Sequence, residues 1–300
     1  MGRDQPAGAG QEPLFGLDGL LPEVPAPDLP SYDWVMPSIS GGKDSQCELD
    51  ETVRQCDAAG VPRERIVTVF CDLGALDEWP GTRELAAEHA AFYGLRHEVV
   101  WREVDDGHGG KRQQGLSEHI LERGKWPDRA RRYCTSDMKR APVYRLMTRL
   151  AQEKRDAGVA GRQVRILNVL GMRAQESPAR KLMSPFAFDE RASNQTVRHV
   201  DTWLPIHSWT TEDVWERIRQ AGTRPHPVYA AGMPRLSCRF CVLAGRSALL
   251  RAAQLDPEGA EARAQMEEAM EHSFKDGISM RSVIAEAAAA GAVRVEDWIA

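Results

Sequence analysis

Residues 34–56, WVMPSISGGKDSQCELDETVRQC, combine a strand pattern, a glycine-rich turn and a helical pattern. A short apolar run leads into the hexapeptide SGGKDS at residues 40–45, and apolar residues at helical spacing follow it. A glycine-rich turn between a strand and a helix lets backbone N–H groups approach an anion closely, and the helix adds its positive N-terminus. The stretch therefore predicts a phosphate-binding loop formed by Ser40, Gly41, Gly42, Lys43, Asp44 and Ser45.

The hexapeptide differs from the Walker loop of P-loop kinases and ATPases. That motif needs glycine at position 37, where the chain has Pro37, and serine or threonine after the lysine, where it has Asp44. Transfer of the γ-phosphate is therefore not the expected chemistry. A glycine-rich turn without a ligand is the alternative, and the order of strand, loop and helix argues against it.

The composition is that of an ordinary globular chain. Among 300 residues, 42% are hydrophobic and 28% are charged, which suits one large domain or two small ones. The formal net charge of −5 argues against coating a nucleic acid by bulk charge, although it allows a local basic patch. No run approaches the roughly 18 apolar residues of a membrane span, and the N-terminus lacks the pattern of a secretion signal. We therefore expect a cytoplasmic protein that does not bind a membrane.

Alternating strand and helix patterns predict an α/β fold. Residues 1–30 hold six prolines and five glycines, a composition that predicts a flexible N-terminal arm. From Trp34 onward, short β-branched runs alternate with helical segments that end on glycine, as in βαβ units. This pattern predicts a doubly wound, mostly parallel sheet across residues 31–245, followed by a helical C-terminal extension across residues 246–300.

Asp72 ends the second predicted strand, RIVTVFCD. In an open parallel sheet the carboxyl ends of the strands face the ligand crevice. Asp72 is therefore a candidate contact for a ribose, a metal ion or an adenine amino group. An acid that only caps a turn is the alternative.

Several ordered motifs resemble one known superfamily. The hexapeptide matches S-G-G-x-D-S, the pyrophosphate (PP) loop of the adenine nucleotide alpha-hydrolases. GMRAQESPAR at residues 171–180 resembles the G-x-R-x-x-E-S-x-x-R stretch of the PAPS reductase clade. PIHSWTTEDVWERIRQAGTRPHPVY at residues 205–229 and GMPRLSCRFC at residues 232–241 resemble the clade's later motifs. The resemblance covers about residues 34–245.

This resemblance implies a PP-loop (HUP-like) fold that binds ATP or a related adenine nucleotide, with Mg²⁺ as helper, and cleaves it between the α- and β-phosphates. Lys43 and the loop amides would hold the departing pyrophosphate, and Asp44 would orient the loop or the metal shell. Arg173 and Arg180 would hold the acceptor or the α-phosphate. Glu176 would orient one of these arginines, and Gly171 is counted with the nucleotide site.

Three cysteines are candidate metal ligands. Cys238 and Cys241 are spaced to bind one metal. Cys134 lies in RRYCTSDMK, which is similar to the Arg-x-Cys-Thr-x-x-x-Lys stretch of DndC-type proteins of DNA phosphorothioation. That resemblance implies a 4Fe-4S cluster held by Cys134, Cys238 and Cys241. Zinc bound by three cysteines plus His226 or His207 is the alternative, and a reduced structural pair is a second. Cys56 and Cys71 fit small buried hydrophobic positions.

The expected function is ATP pyrophosphatase activity coupled to sulfur incorporation, with DNA favoured over tRNA as acceptor. A cysteine desulfurase and other modification-complex subunits are the implied partners. An APS or PAPS reductase is a rival. It is disfavoured because assimilatory reductases carry a Glu-Cys-Gly-Leu-His segment that these 300 residues lack. A non-catalytic nucleotide sensor is another rival function.

The basic segment at residues 129–140 is either a polynucleotide contact or a solvated charged surface.

Overall fold

The computed structural model describes residues 24–291. Its strands and helices alternate along most of that range. The strands are β1 (Trp34–Pro37), β2 (Val67–Asp72), β3 (Arg96–Trp101), β4 (Glu103–Asp105), β5 (Lys111–Gln113), β6 (Val164–Val169), β7 (Phe186–Phe188) and β8 (Arg198–Trp203). The helices are α1 (Lys43–Ala58), α2 (Thr82–Phe92), α3 (Leu116–Arg123), α4 (Tyr133–Thr135), α5 (Ala141–Asp156), α6 (Pro178–Lys181), α7 (Thr211–Ala221), α8 (Arg246–Leu255), α9 (Pro257–Ala269) and α10 (Met280–Ala289).

The central sheet is parallel except at one edge. Strand β1 pairs with β6, β6 pairs with β8 and β2 pairs with β3, all in parallel, whereas β7 pairs with β8 antiparallel. Two isolated parallel bridges, Val35 to Ile66 and Ser38 to Val69, join β1 to β2. The chain thus passes from β1 outward to β3 on one side and returns to β6 on the other. The phosphate loop begins where the order reverses, which is where open α/β sheets bind ligands.

Both faces of the sheet are covered. In β1, Val35 packs into one apolar cluster, whereas Trp34 and Met36 pack into another. Successive side chains of a strand point to opposite faces, so this alternation places a core on each side. The predicted doubly wound α/β class is confirmed.

The core begins before residue 31. Val24 and Leu29 are buried in the same apolar cluster as Val35. The part of the predicted arm that precedes residue 24 lies outside the described residues, and the arm and domain boundaries stay predictions.

The C-terminal helices α8, α9 and α10 share an apolar cluster with residues from earlier in the chain, among them Trp126 and Met138. A buried ion pair adds to this contact, since Arg263 of α9 lies 2.8 Å from Asp77, which follows β2. No helix within residues 24–291 is long and apolar enough to cross a membrane.

Candidate nucleotide and thiol site

The hexapeptide forms a closed turn between β1 and α1. Gly41 has φ +69°, a left-handed conformation that glycine adopts without strain. The Ser45 hydroxyl accepts the Ser40 N–H at 3.0 Å and donates to the Gly42 carbonyl at 2.9 Å. Within the described part of the chain, the N–H groups of Gly41 and Gly42 have no protein acceptor. The turn therefore keeps two backbone donors free at the start of a helix, where anions bind.

The end of β6 packs directly against this loop. A Cβ atom at Gly171 would lie 2.8 Å from the Asp44 carbonyl oxygen. Only glycine permits so close an approach between two backbones. Gly171 therefore lies at the loop, as expected of a residue counted with the nucleotide site.

Lys43 is buried beside Tyr229. Its backbone N–H donates to the Tyr229 hydroxyl at 2.9 Å, and the same hydroxyl accepts the Leu236 N–H at 3.3 Å. The Lys43 ammonium donates to Asp44 at 2.8 Å. Tyr229 thus connects the phosphate loop to the segment that precedes the Cys238–Cys241 pair, a role that its sequence motif did not suggest.

Arg173 fastens the loop from the other side. Its Nε donates to Oδ1 of Asp44 at 2.6 Å, and its Nη1 donates to the Trp209 carbonyl at 3.2 Å. Its side chain is 3% exposed. These contacts correct the expectation that Arg173 holds the acceptor directly, because its guanidinium is enclosed and hydrogen-bonded to protein.

Arg180 is the more accessible arginine of this stretch, with 32% of its side chain exposed. Glu176 forms an ion pair with it and accepts the Arg173 N–H at 2.9 Å, so Glu176 contacts both arginines. Burial lowers the pKa of Arg180, as do the neighbouring cations Arg235 and Arg132. Arg235 and Arg132 thus add positive charge beside the Glu176–Arg180 ion pair, and this excess favours an anionic ligand here.

Asp72 is paired within the protein. One carboxylate oxygen accepts the Gly74 N–H at 2.8 Å and the other lies 3.0 Å from Arg83. It stands at the carboxyl end of β2, as predicted, and caps the following turn. This position is compatible with both predicted roles of Asp72, the ligand contact and the turn cap.

Cys134, Cys238 and Cys241 pack against one apolar cluster and are all half-buried. A hydrogen bond from the Cys238 thiol lowers the pKa of Cys241 and raises that of Cys238. Burial, together with Cys241, raises the pKa of Cys134. Cys238 and Cys241 are thus hydrogen-bonded to each other, and Cys134 is in electrostatic contact with Cys241. A thiol that favours the thiolate is the kind of donor that a metal cluster uses.

The zinc alternative lacks its histidine. His226 accepts the Val228 N–H through Nδ1, and its Nε2 lies 3.2 Å from the Pro80 carbonyl. His207 bonds to the Arg180 carbonyl. Among residues 24–291, no three His, Cys, Asp or Glu side chains are already arranged to hold a metal ion, and this includes the three thiols.

Two charged residues of this region were missed as site residues. Lys139 is exposed at the surface. Although the surrounding protein opposes its charge, electrostatic contact with Glu78, Cys238, Cys71 and Cys241 raises its pKa. Burial raises the pKa of Glu78 to about 7. Cys71, expected to be a buried hydrophobe, is partly exposed. No local sequence pattern marks Lys139 and Glu78, because only the fold brings them together.

Within the described residues, the phosphate loop has unpaired backbone N–H groups and lies at the switch point of a parallel sheet. These two features are typical of a nucleotide-binding α/β protein. The chain matches the phosphoadenosine phosphosulfate reductase domain over residues 35–244 and belongs to that family. The clade expected from the sequence is thereby confirmed, whereas closeness to DndC-type proteins stays a prediction.

An uncharacterized 37.8 kDa protein from the gpa 5′ region of Escherichia phage 186 is 33% identical over 127 residues. The match covers 42% of this chain and 34% of that protein. The chain thus spans about a third of the length of this relative.

Three solved structures are similar at low identity. The Candida auris phosphoadenylyl-sulfate reductase, a phosphate complex, is 15% identical with a TM-score of 0.44, covering 70% of this chain and 83% of that one. The Candida glabrata FMN adenylyltransferase with FAD and inorganic pyrophosphate is 14% identical with a TM-score of 0.44, covering 70% and 58%. The U34-tRNA thiolase NcsA of Methanococcus maripaludis with its [4Fe-4S] cluster is 11% identical with a TM-score of 0.38, covering 88% and 74%.

Proposed function

We propose that this protein cleaves ATP between its α- and β-phosphates and passes AMP to an acceptor oxygen, with pyrophosphate as leaving group. The observation that carries this proposal is the pair of free N–H groups at Gly41 and Gly42, held at the carboxyl end of β1 beside the Lys43 ammonium. Such donors are aimed at an anion and stabilise charge as it develops on the leaving group.

The remaining residues position this loop or receive the acceptor. Arg173 and Gly171 hold Asp44 in place, and Tyr229 holds the backbone of Lys43. Arg180, which is the more exposed, is the cation that meets the α-phosphate or the acceptor. Mg²⁺ would accompany the triphosphate, with Asp44 as the nearest carboxylate.

The second half of the proposal is sulfur transfer. A sulfur nucleophile displaces AMP from the activated acceptor, and AMP leaves with the acceptor oxygen. Cys134, Cys238 and Cys241 would hold a 4Fe-4S cluster, which supplies an iron that binds sulfur. DNA is the proposed acceptor, as in phosphorothioate modification. A cysteine desulfurase would supply persulfide sulfur, and a thiol reductant would supply the two electrons that bring it to the sulfide level.

Pyrophosphate release by anaerobically purified protein tests the first half. We expect Lys43→Ala to abolish release, whereas Lys111→Ala, an exposed hairpin lysine, retains it. Equal loss in both variants, or full activity in Lys43→Ala, contradicts the assignment. Release of sulfite from labelled PAPS without pyrophosphate release from ATP would instead identify a sulfonucleotide reductase.

A further inference from the structure

A cationic cavity of about 680 Å³ is lined by residues that flank Cys134 in the sequence. Its lining comes from the segment between α3 and α5 and, through His272, from the C-terminal helical region. The cationic lining residues are Arg123, Lys125, Arg131, Arg132 and Arg140. A single carboxylate, that of Asp128, lines it with them.

Most of this positive charge has no counter-charge in the protein. The Asp128 carboxylate accepts the N–H groups of Ala130 and Arg131, both at 2.6 Å, and so holds its own loop. In the described part of the chain, no ion pair or hydrogen bond engages the charged groups of Lys125, Arg131, Arg132 and Arg140. Arg123 differs, since it lies 3.3 Å from Asp137. Unpaired cations around one cavity indicate a polyanionic ligand.

The aromatic residues of the cavity form its wall. Trp126 is 4% exposed and Tyr133 is 8% exposed, and the Arg123 guanidinium covers the Tyr133 ring at 4.5 Å. Neither ring therefore offers an open face on which an unpaired base can stack. The Trp126 Nε1 is buried and has no hydrogen-bond partner within residues 24–291. The cavity is thus suited to phosphates and not to splayed bases.

Arg132 connects the cavity to the thiol and nucleotide site. It lines the cavity and is in electrostatic contact with both Cys134 and Arg180. A polyanion that binds Arg132 therefore lies near Cys134 and Arg180.

We propose that this cavity binds the sugar–phosphate backbone of duplex DNA and delivers it to the sulfur-transfer site. The proposal rests on the proposed function, because DNA is there the acceptor of sulfur. Arg131 and Arg140 contact phosphates at the mouth, and Arg132 holds the phosphate nearest Cys134. Binding is sequence-independent, since phosphate contacts carry no base information.

Binding of a short fluorescent duplex, measured by anisotropy across a salt series, tests this inference. We expect Arg131→Gln/Arg140→Gln to weaken binding about tenfold or more at about 0.1 M salt and to lower the log–log salt slope by about 2. The control Arg219→Gln/Arg224→Gln removes two exposed, acid-paired arginines and should leave both quantities unchanged. Thermal unfolding checks that all variants are folded.

Unchanged affinity and slope in the cavity variant would overturn the inference, as would stronger binding of single-stranded DNA or RNA than of duplex. Pyrophosphate release from ATP is measured on the same wild-type sample. If the duplex result fails while pyrophosphate appears, the cavity assignment alone is wrong. If the duplex binds through the cavity but ATP yields no pyrophosphate, the cavity assignment holds and the proposed function fails.

Discussion

The Nε of Arg173 lies 2.6 Å from Oδ1 of Asp44 and thereby joins the segment after β6 to the phosphate loop. Asp44 also accepts from the Lys43 ammonium, so one carboxylate holds two cations at the loop. The shape of the loop therefore depends on a residue more than a hundred positions away.

A double-mutant cycle on Asp44 and Arg173 measures this dependence. We expect Arg173→Met to lower the free energy of unfolding by about 3 kcal/mol, because it removes one of the two cations that a partly buried carboxylate holds. The coupling energy with Asp44→Asn should be about 1–3 kcal/mol by urea denaturation. The exposed pair Arg219–Glu216 is the control, with a coupling below about 1 kcal/mol. Additive effects at Asp44 and Arg173 would show that the contact does not shape the loop.

The buried pair of Asp77 and Arg263 should fasten α9 to the segment after β2. Both side chains are 5% exposed or less, and Asp77 also accepts the Ser117 N–H. Arg263→Leu should cost about 3–5 kcal/mol of unfolding free energy, because a buried carboxylate loses its cation. Arg281→Leu, whose ion pairs are exposed, should cost under about 1 kcal/mol. Similar costs for the two variants would contradict this role.

Glu48 should make stability depend on pH. It is fully buried in α1, and burial raises its pKa well above 4.5 although the Ser38 backbone favours the charged form. A raised folded-state pKa gives stability that is present at low pH and is lost as pH rises toward that pKa. The loss is about 1.4 kcal/mol per pH unit while only the unfolded carboxyl ionises.

Glu48→Gln removes this titration. We therefore expect the free energy of unfolding of the variant, relative to that of the wild type, to increase as pH rises from about 5.5 to about 8. Urea denaturation at each pH measures both values. Burying the amide of the Glu48→Gln variant has a cost that does not depend on pH. It changes the free energy of unfolding by the same amount at about pH 5.5 and at about pH 8, so the trend with pH remains. Parallel stability curves across that range would mean that Glu48 does not titrate in this way.

Cys238→Ala tests the cluster assignment. We expect anaerobically purified Cys238→Ala to lose iron and visible absorption while keeping its fold and its affinity for ATP, because no hydrogen bond of the phosphate loop within residues 24–291 involves this thiol. Cys56→Ala is the matched control, since Cys56 is fully buried in a different apolar cluster. A Cys238→Ala protein with its full iron content would defeat the ligand assignment.

The fold could be predicted because the sequence patterns that indicate it are local. The apolar run before Ser40, the glycines and the helical pattern after Lys43 each act within a few residues, and alternation of such units predicts a parallel sheet. The family resemblance rested on motifs of the same kind.

The roles of individual side chains were harder to predict. The motif resemblance of residues 171–180 predicted Arg173 and Arg180 at the site, but contacts with Asp44 and the Trp209 carbonyl determine that Arg173 is enclosed. Lys139 and Glu78 are far apart in sequence, and the fold brings them together with the thiols. Burial, which raises the pKa of Glu78 to about 7, depends on contacts that no local pattern contains.

The identity of the nucleotide products tests the central claim most directly. ATP labelled at both the α- and γ-phosphorus is incubated with the anaerobic protein, Mg²⁺, a sulfur source and duplex DNA, and the products are separated. We predict that the α label appears in AMP and the γ label in pyrophosphate. Recovery of the α label in ADP and of the γ label in orthophosphate would contradict the account.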